Sequence, residues 1–260
     1  MVRPIRKQAD PLFPGIVFAE PPEITEIADD AEADYERDLW ARIRDGYSID
    51  AELDKPRVVS ELDRFSDKQD YFDRVTARAR PYLHHIVEAL EERDLPSELV
   101  ALPIVESAFR PFAYSHGHAS GIWQFVPQTA RHFDLHQSWW YDGRRDVLAA
   151  TEAAVDYLEQ LEGMFDGDWL LALAAYNAGE GRIQEAKRIR EARGQATDYW
   201  SLDNIPRETR HYVPRVLAIS ELLKNPEAYG LELASIPDEP KIDVVDLEQQ
   251  TDLTMVADLA

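Results

Sequence analysis

Residues 102–109, Leu-Pro-Ile-Val-Glu-Ser-Ala-Phe, place a single carboxylate, Glu106, inside an apolar segment. A carboxylate among apolar side chains loses hydration, which raises its pKa and keeps it protonated closer to neutral pH. Pro96 suits the first turn of a helix that brings Glu106 near its C-terminal end, where the helix dipole disfavours a second negative charge. Both effects favour a proton donor, although a glutamate on an amphipathic helix is more often a solvated or salt-bridged residue.

Further motifs follow Glu106 in a fixed order. Residues 119–125 read ASGIWQF, residues 174–182 read AAYNAGEGR and residues 206–213 read PRETRHYV. Two runs between them, WWYDGRRD at 139–146 and DGDWLLAL at 166–173, belong to the same series. Ordered motifs at matching spacing are far more specific than one short pattern. Together they resemble the lytic transglycosylases, in particular the membrane-bound lytic murein transglycosylase D type, over about residues 80–230.

The resemblance implies an all-α, lysozyme-like catalytic domain and roles for residues in these motifs. It makes Glu106 the catalytic residue. The family's counterpart of Ser115 faces the muramoyl unit, and that of Gln124 contacts an N-acetyl sugar. The hydroxyl matching Tyr176 lies in the groove close to the catalytic glutamate.

Three further residues follow from the same resemblance. The asparagine matching Asn177 helps to shape the groove, and the counterparts of Glu208 and Tyr212 line it or brace it. Ordinary structural roles compete with these assignments. Asn177 could cap its helix, Glu208 could cap a helix or pair with an arginine, and Tyr212 could belong to the core. Tyr176 could likewise be a buried aromatic residue.

A single candidate carboxylate shapes the expected mechanism. Most glycosidases flank the scissile bond with two carboxylates, about 5 Å or 6.5–9.5 Å apart. Asp134, Asp142 and Asp146 lie in polar, arginine-containing contexts that indicate structural roles. The resemblance implies non-hydrolytic cleavage of the β-1,4 bond after N-acetylmuramic acid, with Glu106 as acid and then base and a 1,6-anhydro product. A hydrolytic muramidase and a non-catalytic glycan-binding scaffold stay as alternatives.

Composition narrows the classes of partner. The chain has 28 basic and 50 acidic residues, a net charge of −22, which argues against nucleic-acid binding. Peptidoglycan is also anionic, so net charge cannot attract it to this chain. Its recognition would have to rely on hydrogen bonds and stacking within a groove. No cofactor is expected, and the histidine pairs His84/His85 and His116/His118 are too close in sequence to predict a metal site. No apolar run predicts a transmembrane segment.

The chain divides into four predicted parts. Residues 1–30 form a proline-rich extended arm, 31–80 a helical extension, 81–230 the catalytic domain, and 231–260 a linker with a strand and a helix start. This short α/β tail resembles the opening of a LysM-type glycan-binding module, or is a tail packed on the domain. Family resemblance further implies a precursor that begins upstream with a lipid anchor, and a place in a Gram-negative-type periplasm at the outer membrane.

The helical pattern gives testable boundaries. Gly46 should end the first helix, Pro81 should kink a long helix spanning about 71–90, and residues 110–122 should form a loop. Thr151 should cap a helix that runs to residue 164, and Asp168 should cap a very apolar helix that ends before Gly179.

Overall fold

The structure is a computed structural model that describes residues 38–115 and 117–242. Within these ranges it contains helices and isolated bridges but no strand, so the all-α prediction is confirmed. The α-helices are α1 Leu39–Asp45, α2 Pro56–Phe65, α3 Gln69–Ala79, α4 Leu83–Glu91, α5 Ala101–Ser107, α6 Pro127–His132, α7 Val147–Met164, α8 Trp169–Ala178, α9 Glu180–Glu191 and α10 Thr209–Lys224. Short 3-10 helices span Ser97–Val100, Tyr199–Ser201 and Pro226–Tyr229. The predicted arm and the elements predicted after Ile242 lie outside the described residues.

The N-terminal helices depart from the predicted pattern in two places. Gly46 ends α1 as predicted. The expected kink at Pro81 is wrong, because α3 ends at Ala79 and a separate helix, α4, begins at Leu83. A proline lacks the N–H that would continue the helix, so the chain breaks instead of bending. The sequence pattern also missed α2, which begins at Pro56.

The start of α7 corrects another prediction. Asp146, and not Thr151, is the N-cap, and its carboxylate accepts a hydrogen bond from the backbone N–H of Ala149 at 3.2 Å. Thr151 lies one turn inside the helix, fully buried, where its hydroxyl accepts from Trp123 Nε1 at 3.0 Å. The cap predicted for α8 is confirmed, since Asp168 accepts from Leu171 N at 3.0 Å.

Helix α10 lies at the centre of the packing. It contacts α2, α5 and α8, and it buries apolar side chains along most of its length, including Val213, Val216 and Ile219. The hydrophobic core continues from Leu39 to Ile236 and so includes residues on both sides of the predicted catalytic domain, residues 81–230. No helix in the described part of the chain is long and apolar enough to cross a membrane.

The loop between α5 and α6 is fixed in place although it has no regular structure. The guanidinium of Arg144, which is almost fully buried, donates to the carbonyls of His118 at 2.7 Å and Phe125 at 3.2 Å. Gly121 has φ +84°, and a Cβ there would lie 1.7 Å from the Arg144 carbonyl oxygen. The loop can therefore pass this close only with glycine at that position.

Candidate active site

One groove of about 1150 Å³ opens on the face formed by α2, α5, α10 and the α5–α6 loop. All seven residues predicted from the motifs line it: Glu106, Ser115, Gln124, Tyr176, Asn177, Glu208 and Tyr212. They come from four separate segments of the sequence, which the fold brings to one surface. The fold therefore brings all the predicted residues into one groove. The contacts of each residue indicate what it could do there.

Glu106 lies in the last turn of α5 and is only partly exposed. Burial raises the pKa of its carboxyl to about 7, and the negative charge of Glu208 acts in the same direction. The hydroxyl of Tyr212 donates to Glu106 Oε1 at 2.6 Å, and this bond, with the positive charge of Arg215, opposes the increase. The result is a carboxyl group that is about half protonated near pH 7.

The two groove tyrosines have different partners. Tyr176 donates its hydroxyl to the carbonyl oxygen of Trp123 at 2.9 Å, and its ring packs against Tyr157 with 5.5 Å between centroids. Tyr212 makes the direct hydrogen bond to Glu106. Burial raises the pKa of both phenols well above the usual value, so both remain proton donors. Tyr212 contacts the carboxyl group itself, whereas Tyr176 holds the backbone beside it.

Ser115 and Gln124 use part of their hydrogen-bonding capacity to hold the loop. Ser115 Oγ accepts from the backbone N–H of Ala119 at 3.1 Å. Gln124 has φ +53° and donates its amide to the Gly121 carbonyl at 2.7 Å. Both side chains line the groove, so a ligand would meet them in fixed orientations. His116, between Ser115 and Gly117, lies outside the described residues.

Asn177 and Glu208 lie at the junction of α8 and α10. Asn177 Oδ1 accepts from the Thr209 hydroxyl at 2.8 Å, which ties the end of α8 to the first turn of α10. Glu208 is exposed at the start of α10, and its charge acts on Glu106 without a direct hydrogen bond. Neither side chain is buried in the core.

Other groove residues were not predicted from the sequence. Glu61 of α2 is buried, and its carboxylate pairs with Arg215 Nε at 3.1 Å. Arg215 in turn acts on Glu106. Ser107, next to Glu106 but outside the groove lining, joins α5 to the loop by donating to the Ile122 carbonyl at 3.0 Å. Ser107 could have been predicted from the sequence, because it follows Glu106 directly in the first motif. No sequence motif indicates Glu61, because its partner Arg215 is far away in the sequence.

Asp142 and His84, which the sequence analysis also considered, have structural partners. Asp142 forms an ion pair with Arg144 at 2.7 Å. This pair holds the buried guanidinium that anchors the α5–α6 loop. His84 lies near Glu88 and Asp238, at 3.3 Å and 3.6 Å. Over residues 38–115 and 117–242, no three His, Asp or Glu side chains converge as metal ligands would. The chemistry that the groove can offer is proton transfer by Glu106, with hydrogen bonds from its neighbours.

Comparison with known proteins agrees with the motifs. Residues 85–199 match the family model described as Transglycosylase SLT domain. The chain is 44% identical over 223 residues to membrane-bound lytic murein transglycosylase D of Escherichia coli K12, covering 86% of this chain and 49% of the relative, so it spans about half that relative's length.

Two more distant similarities were also found. A peptidoglycan transglycosylase of Escherichia phage T7 is 36% identical over 131 residues, 49% of this chain and 9% of the phage protein. A solved structure of lytic transglycosylase Slt from Pseudomonas aeruginosa covers 62% of this chain and 25% of its own, with 27% identity and a TM-score of 0.46. The resemblance predicted from the motifs is confirmed by the family model and the curated relatives: the chain belongs to the lytic transglycosylase family and carries its SLT domain.

Proposed function

We propose that this chain cleaves peptidoglycan strands without water, at the β-1,4 bond between N-acetylmuramic acid and N-acetylglucosamine, and forms a 1,6-anhydromuramoyl end. The observation that carries the proposal is that one carboxyl group of the groove, that of Glu106, has its pKa raised to about 7, which would allow it to act as an acid and as a base at neutral pH. The names of the E. coli and phage relatives support the substrate class.

In the first step, the protonated carboxyl of Glu106 donates its proton to the glycosidic oxygen. The bond between that oxygen and muramoyl C1 then breaks, and the N-acetylglucosamine side leaves as an alcohol. The muramoyl ring becomes oxocarbenium-like. A carboxylate remains at Glu106, where the Tyr212 hydroxyl, 2.6 Å from Oε1, stabilises the new negative charge.

In the second step, the same carboxylate takes the proton of the muramoyl C6 hydroxyl. O6 then bonds to C1 and closes the 1,6-anhydro ring, which restores the neutral Glu106. Atoms balance without a water molecule, and no second carboxylate is needed. One residue can serve in both steps because opposing effects act on its pKa. Burial favours the neutral acid, whereas Tyr212 and Arg215 favour the anion.

Hydrolysis by a muramidase mechanism is the second candidate. The observation in its favour is that Glu208 lines the same groove and its charge reaches Glu106. A second carboxylate could activate water on the opposite side of the sugar. Against it, Glu208 is exposed to solvent at the start of α10, whereas the carboxyl of Glu106 is buried enough to raise its pKa.

Mass spectrometry of the products distinguishes these candidates. Purified sacculi are incubated with the wild-type chain and, as the matched control, with Glu106→Gln. Soluble products with 1,6-anhydro ends, whose masses sum to that of the strand, support transglycosylation. Products heavier by one water would establish hydrolysis instead. A wild-type chain that binds sacculi but releases no soluble product would instead support a non-catalytic glycan-binding scaffold.

The same proposal places the protein in the cell envelope, where peptidoglycan lies. The E. coli relative is named as membrane-bound, and attachment of this chain's precursor to the outer membrane by a lipid anchor is part of the proposal. A LysM-type module after residue 242 would add glycan affinity. Fractionation of cells that produce the full precursor tests the location, since recovery with the soluble cytoplasmic proteins would contradict it.

A further inference from the structure

A second, smaller cavity of about 240 Å³ adjoins the groove and is lined only by basic residues. These are Arg57 of α2 and Arg207, Arg210 and His211 around the start of α10. Arg207 and His211 also line the main groove, so the two cavities share a wall. Like charges so close together repel one another, and the chain as a whole has a net charge of −22. This basic pocket is therefore a local exception to an acidic surface.

The arginines of the basic pocket are not neutralised by the protein. Over the described ranges, none of Arg57, Arg207 and Arg210 forms an ion pair with a carboxylate, whereas the groove arginine Arg215 is paired with Glu61 at 3.1 Å. His211 is 3.9 Å from the same Glu61. Arg210 Nε is buried and has no hydrogen-bond partner. Apart from the Arg57 bond to a backbone carbonyl, the structure shows no protein acceptor for these three guanidinium groups within the described residues, so most of their N–H donors are unused.

The pocket is also held in shape before any ligand arrives. Arg57 donates from Nη1 to the carbonyl of Arg210 at 3.2 Å, which joins α2 to α10. The guanidinium of Arg57 also lies over the ring of Trp200, 5.7 Å from its centroid. Arg57 is thus restrained on two sides. Less side-chain entropy is then lost when a ligand binds.

We infer that the basic pocket binds a carboxylate carried by the muramoyl side chain of a glycan strand lying in the groove. The inference rests on the proposed function for the choice of strand. Guanidinium groups match a carboxylate with paired N–H donors, and three of them converge here. In peptidoglycan, a muramoyl unit carries its carboxylate on the lactyl group, or on the peptide joined to that group. Carboxylate is the chemistry common to both sources.

This pocket would give the groove a preference that its sugar contacts cannot supply. A neutral chitin strand has the same β-1,4 backbone and N-acetyl groups but no carboxylate. Glu208 beside the pocket and the net charge of the chain repel an anionic strand at long range. A short-range carboxylate site offsets this repulsion only where a muramoyl side chain is present.

Binding measured without turnover tests the inference. All variants carry Glu106→Gln, so that no strand is cleaved. Dissociation constants are measured by calorimetry for three strands of equal length: peptide-bearing glycan, glycan stripped of peptide by an amidase, which frees the lactyl carboxylate, and chitin oligosaccharide. Arg210→Gln and Arg57→Gln each remove one guanidinium. Arg193→Gln, an exposed arginine that lines neither cavity, is the matched control.

At least one anionic strand should bind about 10-fold or more tightly than chitin, the change expected from a charged hydrogen-bond pair. Arg210→Gln and Arg57→Gln should reduce that preference, Arg210→Lys should keep part of it, and Arg193→Gln should not alter it. Preference for the peptide-bearing strand alone identifies a peptide carboxylate, and preference for the stripped strand identifies the lactyl carboxylate.

Equal affinity for anionic and neutral strands overturns the inference, as does a preference that survives both Arg210→Gln and Arg57→Gln. Thermal melting confirms that each variant is folded, and two independent substitutions keep the test valid if one of them unfolds. Because no turnover is measured, failure here is distinct from failure of the proposed cleavage, which the product masses of the wild-type chain decide.

Discussion

In the proposed mechanism, Glu106 is neutral before bond cleavage and ionised after it, and single neighbouring residues shift that balance. Burial and the charge of Glu208 favour the neutral carboxyl, whereas the hydroxyl of Tyr212 and the charge of Arg215 favour the anion. The pKa of about 7 is the outcome of these opposing effects. Substitutions at this scale should therefore change the pH dependence of the reaction as well as its rate.

Replacing Glu106 by glutamine should lower cleavage by at least about 100-fold, because the amide cannot donate or accept the proton. Release of soluble fragments from sacculi measures the loss. For the wild-type chain, cleavage should fall as pH rises through about 7, where the acid is lost. Retention of more than about a hundredth of the rate in Glu106→Gln would contradict a general acid and base role.

The same variant should be more stable than wild type in alkaline solution. The pKa of Glu106 is raised from 4.5 to about 7 on folding, so its stabilising neutral form is fully present below pH 4.5 and is lost as pH rises through 7. Glutamine stays neutral, and we expect its relative free energy of unfolding to rise by about 1–3 kcal/mol between pH 4.5 and pH 8. Denaturant unfolding at both pH values measures this; a difference independent of pH would refute the shift.

Tyr212→Phe should move the alkaline limb of the activity profile to higher pH. The substitution removes the 2.6 Å hydrogen bond that stabilises the Glu106 carboxylate, so the pKa of Glu106 should rise. Turnover should fall about 10-fold or more, since the anion formed in the first step loses a charge-assisted bond. The pH profile is the diagnostic measurement. A Tyr212→Phe enzyme with an unmoved limb would show that the hydrogen bond is unimportant in solution.

Tyr176→Phe is the matched comparison, because it deletes the other groove hydroxyl. That hydroxyl holds the carbonyl of Trp123 at 2.9 Å and makes no bond to Glu106. We expect turnover to fall by one to three orders of magnitude with an unshifted alkaline limb, and a stability cost of about 1 kcal/mol for the lost hydrogen bond. Full activity with a lower melting temperature would assign Tyr176 to the core alone.

At the scale of elements, the site depends on how the α5–α6 loop is anchored. The chain leaves α5 through two consecutive residues in the left-handed region, Ala108 with φ 51° and Phe109 with φ 56°. The loop then passes next to Arg144, whose guanidinium donates hydrogen bonds to the loop carbonyls of His118 and Phe125. Such strained backbone is retained where the surrounding packing determines it, and here it directs the chain from the catalytic helix into the groove wall.

Gly121→Ala should destabilise this loop. The new Cβ would lie 1.7 Å from the carbonyl oxygen of Arg144, and the φ of +84° disfavours any L side chain. We expect the free energy of unfolding to fall by more than about 2 kcal/mol, roughly the range for backbone strain plus overpacking. Activity should be lost under milder conditions than those that unfold the whole chain. Gly163→Ala, in the last turn of α7 with nothing within 4 Å of the added Cβ, is the control and should be neutral or stabilising. Equal stability of both variants would contradict the close approach.

Helix ends that carry their own capping signal could be predicted from the sequence, and those that rely on distant partners could not. Gly46 and Asp168 mark boundaries by local chemistry, so both were identified correctly. Thr151 was misread as a cap because its hydroxyl serves Trp123, a residue that only the fold brings near. Helix α2 was missed although Pro56 marks its start and Val58 and Leu62, four residues apart, lie on its buried face.

The site shows the same division. The motifs located Glu106 and the six residues that share its groove, since each motif keeps its chemistry within a few residues. The pair Glu61–Arg215 and the basic pocket were not predicted, because their members lie on α2 and α10. Opposite charges separated by most of the chain leave no pattern in the sequence.

At the scale of the whole molecule, the groove extends beyond the part that the family model matches. That model ends at residue 199, before α10, and begins at residue 85, after α2. Tyr212 lies on α10 and Glu61 on α2. The matched segment therefore lacks one wall of the groove and the helix at the centre of the core.

A fragment of residues 85–199 should fail to fold cooperatively, whereas residues 38–242 should fold. Removal of α10 exposes the partners of many buried side chains, each worth about 1.5–3 kcal/mol, and the sum exceeds the 5–15 kcal/mol that stabilises a typical domain. Circular dichroism during thermal melting, together with cleavage of sacculi, compares the two fragments. A sharp transition and activity in the shorter fragment would show that α10 is dispensable.

The bond between Tyr212 and Glu106 also determines when during folding the enzyme becomes competent. Its two residues are 106 positions apart in the sequence, so the contact closes a long loop and forms only after much of the chain has collapsed. Before this contact forms, Glu106 would be a hydrated carboxylate without the burial that raises its pKa. If the proposed function is correct, a newly synthesised chain should gain strand cleavage only when its last long-range contacts form.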